Sequence, residues 1–182
     1  MKKDRNGMSI GLQRGTVAVE KHNSEWEEAA KRTIEKLDAL LQGVAVDIQH
    51  VGSTAIRGIC AKPIIDIVVG VSDFDEILNL SDILEENGFI YRGQDQPDQH
   101  LYVCGDEEIR THHIHVVIYD SEAWNNYLNM RDYLNSHEED AKAYSELKEK
   151  LAEQYAEDRI IYTEKKSDFI KDILIKANRE KE

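Results

Sequence analysis

The chain has 182 residues, enough for one domain of ordinary size with a real core and no need of disulfides. Its 36 acidic and 23 basic residues leave a net charge of -13, which excludes a protein that grips nucleic acid through a general basic surface, although a small anion can still bind in a local basic pocket. Cys60 and Cys104 lack CxxC spacing and read as buried thiols. No apolar run reaches signal-peptide or membrane-spanning form, so the expected protein is soluble and cytoplasmic with no membrane partner.

Residues 1–15 are polar and aperiodic and are expected to form a loose tail ahead of a single domain over 16–182. Residues 16–20 read as a short strand or extended lead-in. A helix is predicted to follow, with Ser24 as N-cap, Glu27 at the capping-box position, and Trp26, Ala29, Ala30, Ile34, Leu37, Leu40 and Leu41 on its inner face.

Val44, Val46 and Ile48 alternate as a strand, which breaks at Gly52-Ser53-Thr54. A second, β-branched strand covers residues 64–71 and carries one charge, Asp66, between Ile65 and Ile67. An acid in a run this apolar needs a metal, a cation or hydrogen-bond donors around it. Strand, Gly-Ser turn and strand with an inward carboxylate is the opening of a nucleotidyltransferase-type active site. The glycine lets backbone approach a phosphate, the Ser53 and Thr54 hydroxyls and free N–H groups donate to it, and Asp66 holds a divalent ion. His50, just before the turn, is either a general base or phosphate donor, or a residue that bonds the turn. Lys62, ahead of Pro63, either meets a phosphate or sits in solvent.

A helix is predicted from Ser72 or Asp73 to about Glu86, then strands over 89–92 and 99–104 around a polar loop, 93–98, that could form a mobile lip. In the strand THHIHVVIY, His113 and His115 share one face, suited to a metal or a phosphate, or else to a pair of satisfied core-edge histidines; His112 is out of phase. Three helices, about 121–136, 138–155 and 162–177, complete the chain. Each bears one cation within an apolar stripe: Arg131, Lys148 and Lys166. Singly, each reads as a snorkelling side chain. Together they would make a cationic site if the helices pack side by side on the sheet.

The segment QHVGSTAIRGICAKPIIDI resembles the signature of the GrpB family, and the similarity continues through THHIHVV, NMRDYLNSH, AYSELKEKLA and YTEKKSDFI, from about residue 19 to 177. The resemblance implies an α/β (α+β) nucleotidyltransferase-like fold, a mixed β-sheet flanked by helices with a helical C-terminal third packed on it. It includes the positions of Arg131, Lys148 and Lys166 and favours a functional reading of His113 and His115. Similar domains fused to dephospho-coenzyme A kinase imply a coenzyme A precursor as one ligand class. The chain departs from the family pattern at QDQPDQH, where a glycine- and arginine-containing run is usual, and at Arg57, where proline is common.

A working nucleotidyltransferase strand carries two alternating carboxylates; here Val68 stands in the second place and two histidines stand where a third acid would come. Either the metal site is rebuilt from Asp66, His113 and His115, for Mg²⁺, Mn²⁺ or the softer Zn²⁺, or metal-dependent transfer is lost. The expectation is a nucleotidyltransferase-like protein, possible transferase chemistry included, that binds a nucleotide or other phosphorylated small molecule and no nucleic acid. Asp66 and His50 are its candidate catalytic groups, and Gly52, Ser53, Thr54, Lys62, Arg131, Lys148 and Lys166 its phosphate contacts. The alternative is a non-catalytic module binding a nucleotide or a coenzyme A precursor. A metal-dependent hydrolase ranks below both, because no HExxH-like spacing is present.

Overall fold

The computed structural model describes residues 9–181. The expected tail lies outside the described residues over its first eight positions, but the remainder is ordered into the fold. Ile10 is 2% exposed, and β1 (Leu12–Gln13) pairs antiparallel with the start of β6 (Ile109–Ile118). Two apolar side chains, Ile10 and Val17, are enough to tie down a segment that otherwise lacks periodicity.

The first helix, α1 (Glu25–Leu40), begins directly after Ser24 as expected, but the serine side chain does not cap it. Ser24 already has helical dihedrals and makes no cap, whereas the Asn23 carboxamide accepts the Glu25 N–H at 2.9 Å. Strand β2 (Ala45–Val51) runs into a 3-10 turn, Ser53–Ala55, and β3 (Ile65–Val71) returns antiparallel to it. The one long helix expected next is two short ones, α2 (Phe74–Leu78) and α3 (Ser81–Glu86). The break at Asn79-Leu80 lets Ile77 and Leu84 bury together and brings the Ser81 hydroxyl 2.7 Å from that of Tyr102.

Strands β4 (Ile90–Gln96) and β5 (Gln99–Gly105) correct the expected loop over 93–98. The strands continue through it to a tight turn, with Gln94 opposite His100 and Gln96 opposite Gln99. Gly93, which reads as a loop residue, marks a bulge: its φ is +93° and the register shifts between Tyr91 and Gln94. The last three elements are α4 (Glu122–Ser136), α5 (Glu138–Gln154) and α6 (Arg159–Arg179). Helix α6 starts before the expected residue 162 because Asp158 caps it, accepting from the Ile161 N–H at 3.0 Å.

The sheet order is β2-β3-β6-β5-β4, with the β3–β6 pair parallel and the other neighbours antiparallel. Successive strand residues alternate between two cores. Ile65, Ile67, Val69, Val71, Ile114 and Val116 face one cluster with α1. On the other side Val68 and Val117 pack with Val51 and Trp124 of α4, while Tyr133, Tyr144 and Ile173 bind α4, α5 and α6 to one another beside Ile56 and Ile59. Gly70 lets α4 approach this closely, since a Cβ there would stand 2.9 Å from the Trp124 ring. No helix among the described residues is long and apolar enough to cross a membrane.

Trp26, fully buried at 0% exposure, anchors α1 in the first cluster. Trp26→Ala is expected to lower the unfolding free energy by about 3–5 kcal/mol, and the half-exposed Ile83→Ala to change it by less than about 0.5 kcal/mol, both read from urea denaturation.

Candidate metal and phosphate site

The parallel β3–β6 register sets Asp66 beside His113 and Val68 beside His115. Because residues 66, 113 and 115 all point to the α4–α6 side, the two imidazoles close on one carboxylate oxygen. His113 Nδ1 lies 3.2 Å from Asp66 Oδ1 and His115 Nε2 lies 3.0 Å from it. Burial alone would raise the Asp66 pKa, but the hydrogen bonds donated by His113 and His115 outweigh it and hold the carboxyl well below the usual carboxylate range.

These atoms also fit a divalent ion. One carboxylate oxygen and two imidazole nitrogens, one from each residue, lie within 4.8 Å of one another. Bonds of about 2.1 Å put adjacent ligands in an octahedral shell about 3 Å apart, close to the two distances from Asp66 Oδ1. Two imidazoles and one carboxylate suit Mn²⁺ or Zn²⁺ at least as well as Mg²⁺. His115 carries a second mark of a site: its Nδ1 is buried without a partner among the described residues, and its ring stacks on Tyr127 at 5.0 Å.

The glycine turn is pressed against the acid. Gly52 has φ +70° and ψ -171°, a region open in practice only to glycine, and a Cβ on it would lie 2.6 Å from Asp66 Oδ2. Ser53 and Thr54 follow directly. Thr54, 1% exposed, has its Oγ1 2.9 Å from His50 Nε2.

A cavity of about 310 Å³ opens over Asp66, lined by Ser53, Thr54, His113 and His115. Of the expected cations, Lys62, Lys148 and Lys166 line it, so Lys62 is a cavity residue and not a solvent-facing one. Lys148 is 1% exposed; its ammonium donates to the Cys60 carbonyl and lies 4.5 Å from the centre of the Tyr144 ring. Lys62 and Lys166 both reach the Tyr162 ring, at 4.2 and 4.4 Å. Burial brings Lys62 and Lys148 down to about 7 and Lys166 down to about 8. For Lys62 the neighbouring cations Lys166 and Arg159 add to the effect.

Arg131 does not join this group. Its guanidinium donates to Gln49 Oε1 at 2.9 Å, to the His50 carbonyl at 3.1 Å and to Asp132, which ties α4 to the end of β2. It lines a second cavity, of about 280 Å³, that Asp66 also borders. His50 lines neither of these two cavities; its side chain supports Thr54, and desolvation lowers its pKa to about 4, against the pull of Asp66. The interior location of Val68, at 0% exposure among Val51, Val117 and Trp124, leaves no second carboxylate on this face of β3. Three residues that sequence reading missed also border the site. Arg159 and Arg110 line the first cavity, and Tyr127 the second. Asp158 ahead of an apolar-periodic run was the available signal for Arg159.

A mixed sheet with helices on both faces, a Gly-Ser turn and an inward strand acid define a nucleotidyltransferase-like fold. The Cid1 poly(U) polymerase bound to MgATP superposes with a TM-score of 0.52 at 13% identity, covering 73% of this chain and 44% of that one, a likeness in fold alone. The chain belongs to the GrpB family: the family profile, described as GrpB protein, matches residues 16–176. The glutamate-rich protein GrpB of Alkalihalophilus pseudofirmus is 35% identical over 170 residues, covering 91% of this chain and 98% of that protein. The UPF0157 protein YqkA of Bacillus subtilis is 31% identical over 150 residues, 82% of this chain and 44% of the longer relative. The crystal structure of conserved protein GrpB from Enterococcus faecalis matches with a TM-score of 0.84 at 28% identity, over 90% of this chain and 98% of that one.

Gly52→Ala is expected to cost about 1–3 kcal/mol from backbone strain alone, seen as a lower urea midpoint, and to displace Asp66. A second expectation concerns acid. His50 has a folded-state pKa of about 4 against an ordinary 6.5, so the unfolded chain takes up a proton that the folded chain refuses. This contribution is therefore fully present above pH 6.5 and is lost as pH falls toward 4. A plot of stability against pH should be shallower in that window for His50→Gln.

Proposed function

We propose that the protein binds a nucleotide or another phosphorylated small molecule at the Gly52-Ser53 turn, with a divalent ion held by Asp66, His113 and His115. The observation that carries this reading is the junction of that three-residue ligand set with a cluster of three lysines, one buried and two partly buried, in one cavity of a protein whose net charge is -13. Ser53, Thr54 and nearby backbone N–H groups would orient phosphate oxygens. Lys62, Lys148 and Lys166 would receive their charge, at a site where partial desolvation strengthens each contact. When bound, the ion would neutralise phosphate oxygens and so favour displacement at phosphorus by an acceptor hydroxyl. His50 acts in this reading through the turn, by holding Thr54, and Arg131 by fixing β2 against α4. The domain expected over 16–182 works as one unit with residues 9–15, of which Leu12 and Gln13 pair with β6 and line the cavity.

A second reading, a binding module without turnover, is favoured by one feature. Val68 occupies the place of the second metal-binding acid and is built into the core, so a two-ion site has no ligand there. The ligand would then be a nucleotide or a coenzyme A precursor.

The two readings separate in a thermal-shift screen of the four nucleoside triphosphates, coenzyme A and dephospho-coenzyme A, with and without Mg²⁺, Mn²⁺ or Zn²⁺. A ligand at a hundred times its Kd adds about 2.7 kcal/mol, a shift of several degrees. The expected result is a metal-dependent shift that Asp66→Asn abolishes. A shift that needs no metal and survives the substitution would favour the binding module, and no shift with any ligand would overturn both.

The lysines add a pH expectation. At pH 8, Lys62 and Lys148 are largely neutral in the free protein, and an anion beside them favours their charged form. Ligand binding at that pH should take up protons, visible as a calorimetric enthalpy that depends on the ionisation heat of the buffer. Affinity should fall as pH rises from 7 to 9.

A further inference from the structure

The two cavities beside Asp66 differ in chemistry and meet at the same four residues. Ser53, Asp66, His115 and Lys166 line both. The first chamber is cationic: Arg14, Lys62, Arg110, Lys148, Arg159 and Lys166 line it, and Asp66 is the one acid among its lining residues. Six cations exceed what a single phosphate needs. The second is largely apolar. Ile56, Met130, Ile170 and Leu174 line it, with Tyr127 and the amide residue Asn126, and Arg131 is the one cation it has besides the shared Lys166.

We infer that the two chambers hold the two ends of one ligand, a nucleoside di- or triphosphate whose phosphate chain runs from the Ser53-Asp66 junction into the lysine and arginine chamber and whose base lies in the chamber between α4 and α6, where Asn126 reads its edge. The inference rests on the reading above that a phosphorylated ligand sits at the glycine turn. Three observations support its orientation. A phosphate at the junction touches both chambers, so the rest of the molecule extends into each. The aromatic ring of the first chamber, Tyr162, already has ammonium groups of Lys62 and Lys166 within 4.4 Å, which leaves that chamber suited to charge and not to a base. The second chamber offers what a heteroaromatic ring requires: apolar side chains from two helices, the Tyr127 ring steadied on His115, and one amide that both donates and accepts. Met130 lies one turn beyond Asn126 and Tyr127 on α4, and Leu174 one turn beyond Ile170 on α6, so two rigid elements define its width.

The test compares ATP, GTP, CTP and UTP with inorganic tripolyphosphate, which carries the phosphate chain without a base, by calorimetry at fixed free Mg²⁺. Ile170→Trp, which fills the second chamber, is expected to weaken the best-bound nucleotide at least tenfold while leaving tripolyphosphate within twofold. Unchanged tripolyphosphate binding also certifies that the variant is folded. Asn126→Ala, the gentler substitution, should reduce the spread among the four nucleotides at least threefold, again without effect on tripolyphosphate. If both variants bind nucleotides like the wild type, or lose nucleotide and tripolyphosphate in parallel, the base does not occupy this chamber and the inference fails while phosphate binding at the turn stands. If the wild type binds neither tripolyphosphate nor any nucleotide, the phosphate reading fails and this one with it.

Discussion

The molecule is arranged around a single carboxylate that shares one oxygen between two imidazoles. Asp66 sits on a strand whose other side chains are apolar, and a charge there is tolerable only because β6 runs parallel to β3 and brings His113 and His115 onto the same face. Gly52 closes the third side so tightly that no side chain can stand in its place. The sheet register, the glycine turn and the approach of α4 through Gly70 are thus parts of one arrangement, because a slip of one residue in β6 would turn both histidines into the α1 core.

The charge distribution is equally specific. An acidic protein has gathered lysines into a desolvated cavity where their ammonium groups rest on aromatic rings and a backbone carbonyl, close to their neutral forms. Such a cluster is costly without an anion, since like charges are held together out of water. Under the proposed function, a ligand with several phosphate oxygens would relieve more of that cost than a singly charged one.

Kinship with polymerases that bind nucleotides extends only to the fold. Strand β3 differs in kind from one with two alternating acids: this chain buries Val68 behind Trp124 and supplies imidazoles from the neighbouring strand. The donor set is therefore softer than an all-carboxylate one, and an ion held there, as proposed, would shift in preference through ligand chemistry without any change in backbone.

Much of this was legible in the residues themselves. The alternation in THHIHVV places His113 and His115 together, the apolar run around Asp66 marks a buried acid, and the stripes of the last three helices reveal an odd cation in each, because strand and helix periods are local properties of the backbone. Local pattern was weaker where packing or a cap competes: it read the 93–98 strand ends as a loop, joined α2 to α3, and began α6 too late. What only the tertiary structure decided is which cations meet. Lys148 and Lys166 turn into one cavity with Lys62, while Arg131, equally placed in its own stripe, is taken up by Gln49 and the His50 carbonyl. Helical spacing fixes the direction of a side chain about its own axis, but its partner depends on how that axis is set against the sheet, and that is a property of packing across the whole chain.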